Sequence, residues 1–192
     1  MSRFKDLTDL DLMREIANFE SRALEELYDR YSPMIYTLIK KIATDEKTAQ
    51  KILVEVFVIV WRKIDKFDFT NGNVFGWIIS LARNRAADQL RRDRAGSLTK
   101  SKYDDEYENY FIIPTFPNEM DSLDHKTATS LKPKMESALS KLTDTQKYVL
   151  HLAYYEAYTV DEIADKLNVP VETVRNKVMT ALHNLRDFLS RE

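Results

Sequence analysis

Leu24, Leu27, Tyr28, Tyr31, Ile35, Leu38 and Ile42 recur at spacings of three and four. Ala49, Ile52, Leu53, Val56, Phe57, Val60 and Trp61 repeat the pattern soon after. That spacing gathers apolar side chains on one face of an α-helix and is out of step with the two-residue alternation of a strand. Helical pattern runs from Asp9 to about Lys63, with Pro33 expected to bend or restart the first long helix and Thr44 or Asp45 to cap the next. Only three glycines occur in 192 residues, so tight β-turns are scarce and long helices are favoured. The expected fold class is all-α.

The stretch "DKFDFTNGNVFGWIISLARNRAADQLRRDR" changes character. Asn71-Gly72 is a turn signal, and Asn73 is placed to cap the helix that follows. At 3.6 residues per turn, Ile78, Ile79, Ala82, Ala86 and Leu90 share a core-facing side. Trp77, Ser80, Asn84, Asp88 and Arg91 lie opposite, flanked by Arg85 and Arg92. Aromatic planes beside arginines are how proteins hold single-stranded nucleic acid, by stacking on bases while cations follow the backbone. The turn could form the wall of a pocket for an extruded base. A plainer reading packs Phe67 and Phe69 against a neighbouring helix and leaves the arginines solvated.

Periodicity then stops. Residues 95–130 include Gly96, Pro114 and Pro117, and seven acidic residues with no lysine or arginine lie between Tyr103 and Asp124. So long a structureless loop is improbable inside one compact domain, so it reads as a flexible acidic linker between domains at 1–94 and 131–192. In the second domain, Thr143-x-x-Gln146 and Thr159-x-x-Glu162 are capping-box patterns, each before an apolar run. "TVDEIADKL", the turn "NVP" and "VETVRNKVMTALHNLRDFL" follow, with Asn168 suited to a left-handed turn residue. Val171, Val174, Val178, Ala181, Leu185 and Phe188 form the inward stripe of the last helix. Helix, short turn and helix with a polar outer face is the helix-turn-helix pattern; a plain helical hairpin is the alternative. The expected architecture is an N-terminal helical bundle and a C-terminal helix-turn-helix domain.

Several function classes lose support. With no cysteine there is no disulfide framework or thiolate metal site, and His125, His151 and His183 lack ligand spacing. No metal or other cofactor is expected. No nucleophile–base pair or phosphate loop argues for an enzyme. The run "ILVEVFVIVW" is broken by Glu55 and falls short of the roughly 20 residues a bilayer span needs. The first residues lack a signal-peptide pattern, so a cytoplasmic protein without membrane insertion is expected. A net charge of −2 implies weak DNA binding by the chain alone.

"ALEELYDRYSPMIYTLIKKI", "AQKILVEVFVIVWRKIDKFD" and "NVFGWIISLARNRAADQLRR" resemble consecutive parts of region 2 of bacterial RNA polymerase sigma factors. The segment from "LSKLTDTQKYVL" to "ALHNLRDFL" resembles region 4, and the short total length matches the extracytoplasmic-function (ECF) group of the sigma-70 superfamily. The resemblance implies a non-catalytic subunit that gives core polymerase its promoter specificity. It implies docking of Gln50, Lys51, Val54, Glu55, Phe57 and Trp61 on the β′ coiled coil, with a further contact to the β flap. It implies that Phe69, Asn71, Asn73, Trp77, Asn84, Arg85, Asp88, Arg91 and Arg92 read and melt the −10 element of promoter DNA. Glu172, Thr173, Arg175, Asn176 and Lys177 would read the −35 element, and the acidic linker would thread toward the RNA exit path. An anti-sigma factor, membrane-anchored in many members of the group, is a further implied partner. Lys51 and Val54 depart from the acid and glutamine common in the family, and "NVPVETVRNK" departs from its usual "GVPEGTVKSR".

Two other readings stay open at this point. One is an operator-binding regulator with a sensing or dimerising N-terminal domain, which would have no need of an aromatic turn and arginine helix. The other is a helical interaction protein that never touches DNA, which would leave Arg83, Arg85, Arg91, Arg92 and Arg94 unexplained.

Overall fold

Capping side chains set where most of the helices begin. In the computed structural model, which describes residues 3–70, 72–95 and 130–190, there are eight α-helices and no strand among the described residues. These residues fall into two compact units. The linker expected at 95–130 lies almost wholly outside the described residues; Ala95 closes a helix and Ser130 precedes one.

The first unit holds α1 (Asp9–Ala17), α2 (Ser21–Ile42), α3 (Glu46–Arg62) and α4 (Val74–Ala95). Thr8 caps α1 by accepting the Asp11 N–H at 3.1 Å. Asp45, rather than Thr44, caps α3: its carboxylate accepts the Thr48 N–H at 2.9 Å and the Thr48 hydroxyl at 2.6 Å. Those bonds hold its carboxyl below the usual range. Helix α2 buries Ala23, Leu27, Tyr31, Ile35, Ile39 and Ile42. It packs on α1, α3 and α4, and is the centre of the bundle.

Pro33 does not restart α2, which runs unbroken through it. Pro33 and Asp29, whose carbonyl loses its amide donor there, are both exposed, so water can take the missing bond. At the other side of α2, Arg30 donates to Asp9 and Glu26 (2.9 Å each) and to the carbonyls of Phe4, Lys5 and Leu7. Tyr31 adds a 2.6 Å bond to Asp9. These bonds tie the start of the chain to the bundle.

The second unit holds α5 (Lys132–Ser140), α6 (Asp144–Tyr154), α7 (Val160–Leu167) and α8 (Val171–Ser190). Both capping boxes form, Thr143 with Gln146 and Thr159 with Glu162. Val149, Leu152, Ile163, Ala164, Val174 and Val178 make its core. Of the inward stripe expected on α8, Val174, Val178 and Ala181 are buried and Val171, Leu185 and Phe188 partly so. Asn168 takes the left-handed conformation, φ 51° and ψ 51°, and turns the chain from α7 into α8. This is helix-turn-helix geometry.

Candidate nucleic-acid interface

The turn before α4 is built around one aromatic ring. Phe67 is buried and meets Phe69 edge-on at 5.1 Å and Trp77 at 5.4 Å. Gly72 donates to the Asp68 carbonyl at 2.7 Å, and a Cβ there would collide with that oxygen and press on the Phe67 ring. Only glycine fits so close an approach. Asn73 caps α4 as expected, its side-chain oxygen accepting the Gly76 N–H at 2.6 Å. Asn71 lies outside the described residues.

Trp77 was expected on the polar face of α4, where the structure leaves it only partly accessible. The turn folds back over the first turn of the helix, so the indole is half-buried against Phe67. A helical wheel cannot anticipate a preceding loop that covers one of its faces. Asp88 is a correction. It was expected to meet base edges, yet it is only 5% exposed. Its carboxylate takes a 2.8 Å hydrogen bond from Arg92 and lies 3.9 Å from Arg85. Arginines at i−3 and i+4 flank it, and a buried carboxylate needs such partners.

Arg85 is also tied across the bundle, donating to Glu55 of α3 at 2.6 Å. Glu55 has Lys51 3.8 Å away. The pairing links α3 to α4 through residues expected to serve two different partners. Asn84 and Arg91 remain partly exposed on α4 and, with Phe69 and the rim of Trp77, outline the accessible part of this face.

On α3, Gln50, Lys51 and Val54 are exposed. Phe57 is not: it is buried, with Tyr28 edge-on at 4.8 Å, because it continues the inward row of Leu53 and Val60. That corrects its expected place on a contact surface. Trp61 is half-buried, and Val58, 41% exposed, extends the outer apolar face beyond the residues read from the sequence. Its signal lay in the spacing of four from Val54.

On α8, Glu172, Thr173, Arg175, Asn176 and Lys177 are all exposed. Arg175 donates to Glu172 at 2.8 Å through Nη1, which leaves other N–H groups of the guanidinium to donate elsewhere. Met179 and Thr180 continue the exposed face one turn beyond Asn176, and Met179 is 60% exposed. A methionine on a solvent-facing row was the overlooked signal.

Two family models match this chain in order: "Sigma-70 region 2" over residues 27–96 and "Sigma-70, region 4" over residues 138–187. The chain is a sigma factor of the sigma-70 superfamily, ECF group. This sigma factor is 28% identical over 183 residues to "ECF RNA polymerase sigma factor SigK" of Mycobacterium tuberculosis, covering 95% of this chain and 94% of that one. It is 29% identical over 178 residues to the SigK of Mycobacterium ulcerans, covering 93% and 91%. Among solved structures it is similar to Rhodobacter sphaeroides SigE in complex with the anti-sigma ChrR. That match has 24% identity, a TM-score of 0.48 and coverage of 94% of this chain and 97% of that one. Region 2 thus spans most of α2 and all of α3 and α4, and region 4 spans α6, α7 and nearly all of α8. Among the described residues no helix of this sigma factor is long and apolar enough to cross a membrane.

Proposed function

We propose that this sigma factor directs core RNA polymerase to its promoters, and that it acts in the cytoplasm, where the polymerase is. Sigma factors are initiation factors rather than catalysts. The observation that carries the reading is the presence, in one chain and in order, of an aromatic-walled turn leading into an arginine-bearing helix and a helix-turn-helix unit. An operator-binding regulator needs the second and has no use for the first.

The division of labour follows the helices. Residues 1–94 form the region 2 domain, 95–130 the linker and 131–192 the region 4 domain. The outer face of α3, with Gln50, Lys51, Val54 and the exposed edge of Trp61, docks on the polymerase β′ coiled coil. Phe69, Asn71, Asn84 and Arg91 receive unpaired −10 bases and the backbone, with Trp77 and Asn73 shaping the turn behind them. Stacking is worth roughly 1–3 kcal/mol per base, enough to offset part of the few kcal/mol that unpairing costs. Arg85, Asp88 and Arg92 hold that face in place through their mutual pairs. Exposed residues at the start of α8 enter the major groove of the −35 element, and region 4 rests on the β flap.

Transcription in vitro with purified core polymerase and a promoter library tests the reading. The expected result is initiation from a defined subset of promoters, dependent on this chain, with weak and unspecific duplex binding by the chain alone. Tight, sequence-specific binding without polymerase at physiological salt, with no gain in initiation, would return the protein to the regulator class.

A further inference from the structure

The end of α1 rests on a residue its geometry disfavours. The Phe19 N–H bonds to the Ile16 carbonyl at 2.9 Å and the Glu20 N–H to the Glu15 carbonyl at 3.0 Å. That pair of bonds is the Schellman termination, which places Phe19 at the position glycine usually takes. Phe19 has φ 64°, a left-handed conformation in which a Cβ crowds the following carbonyl. A bulky residue there is an outlier.

The side chain recovers little of that cost within the unit. Phe19 is 79% exposed, the largest fraction among the exposed large hydrophobic residues of the described chain. Glycine would serve the turn better and would remove an apolar ring from water. Uncompensated backbone strain under an exposed aromatic points to a role outside the fold.

The ring meets one aromatic neighbour, Trp61, edge-on at 6.2 Å. From Trp61 the apolar surface continues along α3 at spacings of three and four, through Val58 and Val54, which are 41% and 58% exposed. Lys47, Lys51 and Arg62 are exposed on the same outward side of α3, with Lys51 3.8 Å from Glu55 and Glu46 also exposed on the helix, so the surroundings of the strip carry both signs of charge. The result is an apolar strip that begins on the turn after α1 and runs along the helix assigned to the polymerase.

We propose that Phe19 is an anchor for core polymerase, and that the strip Phe19–Trp61–Val58–Val54 seats an amphipathic helix of a core subunit. The inference rests on the reading of α3 as the polymerase-facing helix and adds a contact from outside it. Continuity with that face selects the occupant. The Schellman turn fixes the direction in which the side chain leaves the backbone. Aromatic residues so presented carry a disproportionate share of interface energy.

Phe19→Gly separates this role from a structural one, because the two give opposite signs. Both tryptophans, Trp61 and Trp77, lie in the region 2 unit, so tryptophan fluorescence in a urea titration of the full chain reports that unit alone. The variant should unfold at the same or a higher urea concentration, while its affinity for core polymerase falls about tenfold or more in an anisotropy titration. Phe19→Tyr should retain most of the affinity. Unchanged affinity in Phe19→Gly overturns the proposal, as does a loss of affinity matched by a loss of stability. Val54→Glu tells this failure from that of the underlying reading. If it weakens core binding and Phe19→Gly does not, only the anchor is wrong; if neither weakens it, α3 is not the docking helix. A dimer of the free chain that Phe19→Gly dissolves, with core affinity unchanged, would assign the strip to a second copy and also overturn the proposal.

Discussion

Replacing Asp88 by alanine distinguishes a carboxylate that holds α4 together from one that reads bases. The side chain is 7% exposed, accepts a 2.8 Å hydrogen bond from Arg92 and has Arg85 3.9 Å away. Breaking a fully buried ion pair costs about 3–5 kcal/mol, because a charge is left without a partner or water. Here the survivors are better placed: Arg92 is 39% and Arg85 25% exposed, and Arg85 keeps its bond to Glu55. Both can recover hydration, so one charge-assisted hydrogen bond is the better measure of the loss, about 2 kcal/mol. With a urea m-value on the order of 1–1.5 kcal/mol/M, the region 2 midpoint should fall by roughly 1.5 M. Tryptophan fluorescence on the full chain reads that transition. Asp88→Asn, which keeps the shape and an acceptor but not the charge, should lie between alanine and the native protein. A stability change under about 0.5 kcal/mol, the range of ordinary surface substitutions, together with a large loss of open-complex formation, would refute the structural assignment and restore Asp88 as a base contact.

Trp77→Ala should destabilise region 2 by about 2 kcal/mol, since the indole loses its edge contact with Phe67 and its half-buried surface, while Trp77→Phe should recover much of this in the same titration. Asp45 has a folded-state pKa below its unfolded value because Thr48 donates to the charged carboxylate. Its contribution is therefore complete above the ordinary carboxylate range and disappears as pH falls through the lower folded value. Acid titrations followed by fluorescence should show Asp45→Ala with a weaker loss of stability in that window than the native chain. Arg175→Ala and Asn176→Ala should alter preference at the −35 element by roughly 1–3 kcal/mol for each lost bidentate contact and leave opening of a pre-melted −10 promoter unchanged. A uniform loss on every promoter would reduce them to phosphate contacts.

What could be read from the sequence was what neighbouring residues decide among themselves. The capping boxes at Thr143 and Thr159, the cap at Asn73 and the left-handed Asn168 each depend on residues within a turn or so of one another. The apolar rows of α2, α3 and α8 were legible for the same reason, since a helix repeats its faces every 3.6 residues wherever it is placed. Asp88 and Phe57 were settled by neighbours on their own helices, Arg85 and Arg92 for the first and the row of Leu53 and Val60 for the second, but other residues answered to something more distant. Trp77 is half-covered because a ring ten residues earlier folds over it, and Arg85 was claimed by Glu55, thirty residues away. Phe19 has no glycine or asparagine to announce its left-handed turn, and its tryptophan neighbour comes 42 residues later in the chain. Periodicity gives a helix one buried side and leaves its charges to water. Packing against other helices decides which of those charges find partners, which aromatics are covered, and so which residues remain free to meet another molecule.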